Sequence, residues 1–107
     1  MALSKAELES RLISKWDGMK ADLLRGNSGA ALSFFVSGSQ DRYRQVLEEL
    51  GEAKIKAIFS SLMEIKLYTL SGRFANCGAI RRESGGIYSY PVTFVQDENG
   101  IWKIMGF

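Results

Sequence analysis

Residues 71–100, SGRFANCGAIRRESGGIYSYPVTFVQDENG, decide the fold, because three turn signals divide them into strand-length pieces. Ser71-Gly72 separates Glu64–Leu70 from Arg73–Arg82. Gly85-Gly86 separates that segment from Ile87–Gln96, and Asn99-Gly100 introduces Ile101–Phe107. Asn-Gly is the strongest of the three, since both residues tolerate the positive φ of a type I′ turn. Four strands joined by short turns give an antiparallel meander. Its apolar faces need a cover, and the preceding half of the chain is the available one.

That half reads as helix. Ser4-Lys5-Ala6-Glu7 has the form of a capping box, with Leu3 and Leu8 at the staple positions. Leu12, Trp16, Met19 and Leu23 continue at i, i+4, i+7 and i+11, with Ile13 and Leu24 beside them, so the spacing predicts one amphipathic helix of about 20 residues. Gly26-Asn27 stops it. Asn27 or Ser28 then caps a short helix bearing Ala30, Ala31, Leu32 and the Phe34-Phe35 pair. Ser39 is expected to cap a third helix with Tyr43, Val46, Leu47 and Leu50 inside and Asp41 in its first turn. After Gly51 a fourth helical stretch carries Ile55, Ile58, Phe59 and Leu62. Helices first and strands second is the pattern of an α+β fold, here N-terminal helices on a curved four-stranded meander. The chain has 107 residues, 46% of them hydrophobic and 24% charged, which suits a single domain over residues 1–107.

Composition narrows the chemistry. There is no histidine, which removes His-based acid-base catalysis, Ser-His-Asp and Cys-His constellations and most transition-metal sites. No cofactor or metal is expected. The lone Cys77 forms no internal disulfide and, between Ala75 and Ala79, reads as a small buried hydrophobe. Net charge is +2, spread as +1 over residues 1–62 and +1 over 63–107, and only Arg81-Arg82 are adjacent cations, so nucleic acid is not an expected partner. No window approaches the roughly 18 apolar residues of a membrane span. The default expectation is a cytoplasmic protein, or an exported one if the chain is a domain of a longer precursor.

The strand faces point to a hollow. Ala75, Cys77 and Ala79 share one face of the second strand, and small residues leave space above them. Phe74, Asn76, Gly78 and Ile80 share the other. Tyr88, Tyr90, Val92 and Phe94 share a face of the third strand. In the last, Trp102 and Ile104 oppose Ile101, Met105 and Phe107. Apolar residues therefore fall on both sides of the sheet. A homodimer through the outer face is one expectation, shielding by the stems of Lys66 and Lys103 the other. Pro91 requires an edge or a bulge, and a bulge bends the sheet. A bent sheet with a helix in its concavity is a cone that can leave a pocket at its open end.

Two segments resemble the nuclear-transport-factor-2-like superfamily, with its SnoaL-like and ketosteroid-isomerase-like members. Trp16 to Asn27, continuing through Ala31-Leu32-Ser33-Phe34-Phe35, is similar to the family's opening helix and the break before a short Ala-Leu-rich helix. Tyr90 to Ile104 is similar to its closing hairpin, with the Asp-x-x-Gly-x-Trp-x-Ile ending over Asp97, Gly100, Trp102 and Ile104. The resemblance implies a cone-shaped, cystatin-like α+β fold. The family's enzymes place acid-base residues, often Asp with His or Tyr, inside the cone, and this chain has no His. The resemblance and the composition together lead to a non-catalytic module, one that binds a small apolar ligand or serves in accessory or dimerisation roles. Pocket-lining candidates are Trp16, Tyr43, Phe59, Tyr68, Arg81, Tyr90, Phe94 and Trp102, with no catalytic residue assigned. For Trp16 and Trp102, core filling with an indole N–H hydrogen bond outweighs a ligand clamp. The alternative is a SnoaL-like or ketosteroid-isomerase-like enzyme using a carboxylate base, for which Glu64 is the nominee, and a Tyr hydroxyl.

Overall fold

The computed structural model describes residues 4–107, apart from the Met63 side chain. Ser4 opens helix α1 (Lys5–Leu24): its Oγ accepts the Glu7 N–H at 3.1 Å, and its hydroxyl donates to Glu7 Oε1 at 3.2 Å. The Leu3 half of the expected staple lies outside the described residues. Leu8, Leu12, Trp16, Met19 and Leu23 are buried, which is the stripe that the spacing predicts. Gly26 ends the helix at φ +79°, and Asn27 caps α2 (Ser28–Leu32) by accepting the Ala30 N–H at 3.2 Å.

Helix α3 (Ser37–Ser61) begins three residues earlier than expected. Val36 is its N-cap position, without a side-chain cap, and the Ser39 hydroxyl donates to Met105 O at 2.7 Å instead. Asp41 consequently falls beyond the first turn and pairs with Arg44. Gly51, at φ +79° and ψ 160°, breaks the helix into two arms, the third and fourth stretches of the sequence reading. Tyr43, Leu47, Ile55 and Phe59 are buried. Val46, expected inside, is exposed.

Four strands follow, β1 (Leu62–Ser71), β2 (Phe74–Glu83), β3 (Gly86–Gln96) and β4 (Trp102–Gly106), paired antiparallel in the order β1-β2-β3-β4. The first two turns lie one residue from the expected positions, since Ser71 pairs with Phe74 and Glu83 with Gly86. The Asn99-Gly100 turn is not type I′. Among the described residues no non-glycine has positive φ, and Gln96 pairs with Trp102 across a five-residue loop. Asp97 Oδ1 shapes that loop by accepting the N–H groups of Asn99 and Ile101, both at 2.9 Å.

Pro91 lies in β3, a central strand, yet β4 pairs only with Thr93–Gln96, so the strand is locally an edge where the proline stands. A bulge in β4 changes the fate of the last residue. Thr93 pairs with Gly106 and Phe94 with Ile104, leaving Met105 as the extra residue. The inside-outside alternation slips by one there. Phe107, expected beside Ile101 and Met105, instead turns its ring inward against Trp16, Phe35, Tyr43 and Phe59.

The inner sheet face, with Ile65, Leu67, Ala75, Cys77, Ala79, Val92, Phe94 and Ile104 buried, forms one core with the helices. Glu9 ties α1 to the edge strand β1 by accepting the Leu67 N–H at 2.9 Å. On the outer face the Tyr68 ring lies over Gly78, where a Cβ would stand 2.5 Å from Tyr68 Cε2, and the Tyr68 and Ser89 hydroxyls bond at 2.8 Å. Asn76 donates to Thr69 Oγ1 at 3.0 Å nearby. Phe74 and Ile87 remain exposed on that side. Lys103 does not shield it, because its ammonium reaches Ser33 O at 2.8 Å.

Candidate functional site

A hollow of about 190 Å³ remains between the helices and the inner face of the sheet. Trp16 of α1, Ile58 and Phe59 of α3, and Leu62 at the start of β1 form one wall. Ala79 and Arg81 of β2, Tyr90 and Val92 of β3, and Phe107 form the other. The second wall follows from the strand period: Ala79 and Arg81 are two apart, as are Tyr90 and Val92, and Ala79 pairs directly with Tyr90. The small Ala79 side chain leaves the space that Trp16, Phe59 and Phe107 close from other sides.

Of the eight pocket candidates, Trp16, Phe59, Arg81 and Tyr90 come together here. The other four do not. Tyr43 stands behind Phe107, and Phe94 is fully buried in the core. Tyr68 is on the outer face, because it follows inward-facing Leu67 and strand alternation turns it out over Gly78. Trp102 lines a separate depression with Arg11, Ser14 and Lys15. Phe107 and Ala79 are lining residues that the sequence reading did not assign to a pocket.

Two residues lining this hollow carry a buried nitrogen donor with no hydrogen-bond acceptor among the described residues, and neither nitrogen has accessible surface toward the hollow. Trp16 is fully buried, and its indole Nε1–H meets no acceptor among the described residues, contrary to the expected bonded core indole. Arg81 Nε is likewise buried without a hydrogen bond. Glu83 Oε1 is 3.5 Å away, an ion-pair contact only. Buried donors left in this condition are uncommon in folded proteins, and each costs free energy.

The rim is polar. Arg81, Glu83, Tyr88 and Tyr90 share the sheet face that carries Ala79, beyond the cover of the helices. Tyr90 donates its hydroxyl to Glu83 Oε1 at 2.9 Å, and this bond, more than the other surroundings, raises the phenol's pKa. An acid and a phenol therefore meet at the mouth, an arrangement the sequence reading did not foresee. Its signal was the i, i+2 series Ala79, Arg81, Glu83 continued past Arg82. Glu64, the nominated base, is exposed at the β1 bulge and does not line the hollow. Arg81 and Arg82 face opposite sides of the sheet, so the two adjacent cations do not form a patch.

No family model matches the chain, and no curated protein matches it. Among the described residues no helix is long and apolar enough to cross a membrane, and no group of three His, Cys, Asp or Glu side chains is placed to hold a metal ion.

A larger depression of about 440 Å³ runs past Phe35, Gln40, Arg73, Asp97 and Lys103. Most of its polar side chains are already engaged, Glu98 of its rim excepted. Arg73 donates twice to Gln96 O, Lys103 to Ser33 O, and Asp97 accepts two backbone N–H groups. The smaller hollow, with its apolar aromatic walls, is the better candidate.

Proposed function

We propose that the chain binds a small, mainly apolar molecule in the hollow between α1, α3 and the sheet, and performs no chemistry on it. The observation that carries this reading is the volume left at the centre of aromatic walls. An apolar cavity of roughly 150 Å³ is enough to hold benzene. The space beside Trp16, Phe59 and Phe107 exceeds that and opens toward the rim. The long opening helix, the break at Gly26-Asn27, the short α2 and the closing four-strand meander support assigning the fold to the nuclear-transport-factor-2-like superfamily, with the hollow at the open end of its cone.

The enzyme reading has one observation in its favour, the Glu83–Tyr90 pair. Its geometry argues against acid-base work. The phenol proton is committed to the carboxylate, and the raised pKa makes Tyr90 a poorer proton donor. A homodimer through the outer sheet face belongs to the same proposal, supported by the exposed Phe74 and Ile87.

The test is ligand-observed NMR of toluene against the wild type and against Ala79→Leu, in which a larger side chain occupies the hollow. Saturable binding to the first and none to the second is the expected outcome. Equal binding to both places the toluene elsewhere and ends this reading.

A further inference from the structure

We infer that the free edge of β3 pairs with the same edge of a second copy of this chain, antiparallel about a two-fold axis at Tyr88. The inference stands on the backbone of the sheet and is independent of what the hollow holds. Two bonds at the far end of β3 fix which way its backbone groups point. Gln96 N–H donates to Arg73 O on the β2 side at 2.8 Å, and Asp97 N–H donates to Ile101 O on the β4 side at 2.8 Å. The pairing of β3 with β2 runs from Val95 to Gly86 without a register shift, so this alternation carries along the whole strand. Ile87, Ser89 and Pro91 therefore turn their backbone groups away from β2. On that side β4 offers them nothing, because its pairing stops where Thr93 meets Gly106. The N–H and C=O of Ile87 and of Ser89 stand at an open edge, and Pro91 adds a carbonyl without a donor.

Those groups are complementary to themselves. With the axis at Tyr88, Ile87 faces the second copy's Ser89 and Ser89 faces its Ile87, so every free N–H and C=O of the two residues is met. Moving the axis to Ser89 sets Ile87 against a proline that cannot donate, and the Ile87 carbonyl stays unmet. The side chains suit the same register. Tyr88 opposes its own equivalent as an aromatic cross-strand pair, and Tyr90 opposes Gly86, which leaves room for its ring. An unrelated strand meets the donors but brings neither match. Exposed edges are ordinarily blunted by charged side chains, yet residues 85–96 contain none, and Ile87 is 64% exposed. No like charges therefore meet across the axis. Beyond Arg81, the last β2 residue that β1 pairs with, the sheet is only two strands wide, a width that holds poorly in water. The second copy supplies the third strand.

The experiment follows amide exchange of the full wild-type chain by proton–nitrogen NMR at micromolar and at millimolar concentration. Beside it, two single-cysteine proteins, Cys77→Ala/Tyr88→Cys and Cys77→Ala/Tyr90→Cys, are exposed to oxidised glutathione. The Ile87 and Ser89 amides are expected to exchange at least about tenfold more slowly in the concentrated sample, as pairing makes them part of a ladder. Tyr88→Cys sets two thiols across the axis at close to the Cβ separation a disulfide needs and is expected to give a linked dimer, whereas Tyr90→Cys faces a glycine and gives little. Exchange of both amides that does not depend on concentration overturns the inference. Equal linking of the two cysteine proteins reflects random collision and overturns it too. A dimer that forms while the Ile87 and Ser89 amides stay unprotected uses another face, such as the outer one, and has the same consequence.

Discussion

Tyr43 holds Phe107 by both of its backbone groups: the phenol oxygen accepts the Phe107 N–H at 2.9 Å and its hydroxyl donates to Phe107 O at 3.1 Å. The two rings stack at 5.1 Å and 30°, and Phe107 then meets Trp16 edge to face at 5.4 Å and 86°. One helix side chain thus fixes a residue that the β4 bulge has turned inward, and that residue forms part of the hollow's wall.

Tyr43→Phe keeps the ring and removes both bonds. A loss of about 1–3 kcal/mol is expected in urea unfolding, the cost of leaving part-buried backbone groups unmet. Binding of toluene should weaken in parallel, because Phe107 is no longer fixed. Unchanged stability and binding would show that the aromatic contacts alone position the ring.

Gly18, in the middle of α1, admits Phe34. A Cβ there would stand 2.7 Å from Phe34 Cζ, so the close neighbour is the residue that flanks α2. Gly18→Ala gains about 1 kcal/mol of helix propensity and forces the half-buried Phe34 ring aside at a cost of similar size. Near-neutral stability is expected for the single change. In a Phe34→Ala background the same substitution should stabilise by about 1 kcal/mol. A double-mutant cycle with no coupling between the two positions would refute the contact.

Burial, with a smaller contribution from the Glu9 carboxylate, pushes the Cys77 thiol from 9.0 up to about 11. The folded state therefore keeps a proton that the unfolded chain releases. Stability from this source is complete below the unfolded value and is lost as pH rises through the folded one, falling by up to about 1.4 kcal/mol per pH unit inside that window. Urea midpoints followed across it should drop more for the wild type than for Cys77→Ala. Parallel curves would mean that the thiol titrates normally in the folded protein.

The proposed outer-face dimer predicts a concentration-dependent sedimentation coefficient that Ile87→Lys shifts fully to monomer. The Tyr68–Ser89 and Asn76–Thr69 pairs cross that face, so an interface there must bury polar groups that are already satisfied. A monomer at every accessible concentration removes the dimer.

The bounds of α1 and the strand order were legible because they follow local rules, whereas the start of α3 was not, since Val36 opens it without a side-chain cap. Ser4 and Glu7 cap through their own side chains, the Leu8-to-Leu23 stripe has helical spacing, and glycines punctuate the meander. The hollow was legible only in half. Strand period placed Arg81 and Tyr90 on its face, and helix period placed Trp16 and Phe59 toward it. Tyr68 belongs outside by the same period, since Ile65 and Leu67 point inward, and naming it for the pocket overlooked that alternation. Phe107 depended on an irregularity that no period signals, the bulge at Met105 that brought it in. Glu83 was missed because the second strand was ended one residue too soon, at Arg82. Asn99-Gly100 misled in the opposite direction, since Asp97 organises a longer loop by bonding to two backbone amides.

The most direct measurement uses Trp102→Phe, which leaves Trp16 as the protein's one indole, and follows its fluorescence as toluene is added. A saturable change in emission, lost when Ala79→Leu fills the space beside it, is the result expected of a vacant aromatic chamber. Emission that stays flat in both proteins contradicts the account.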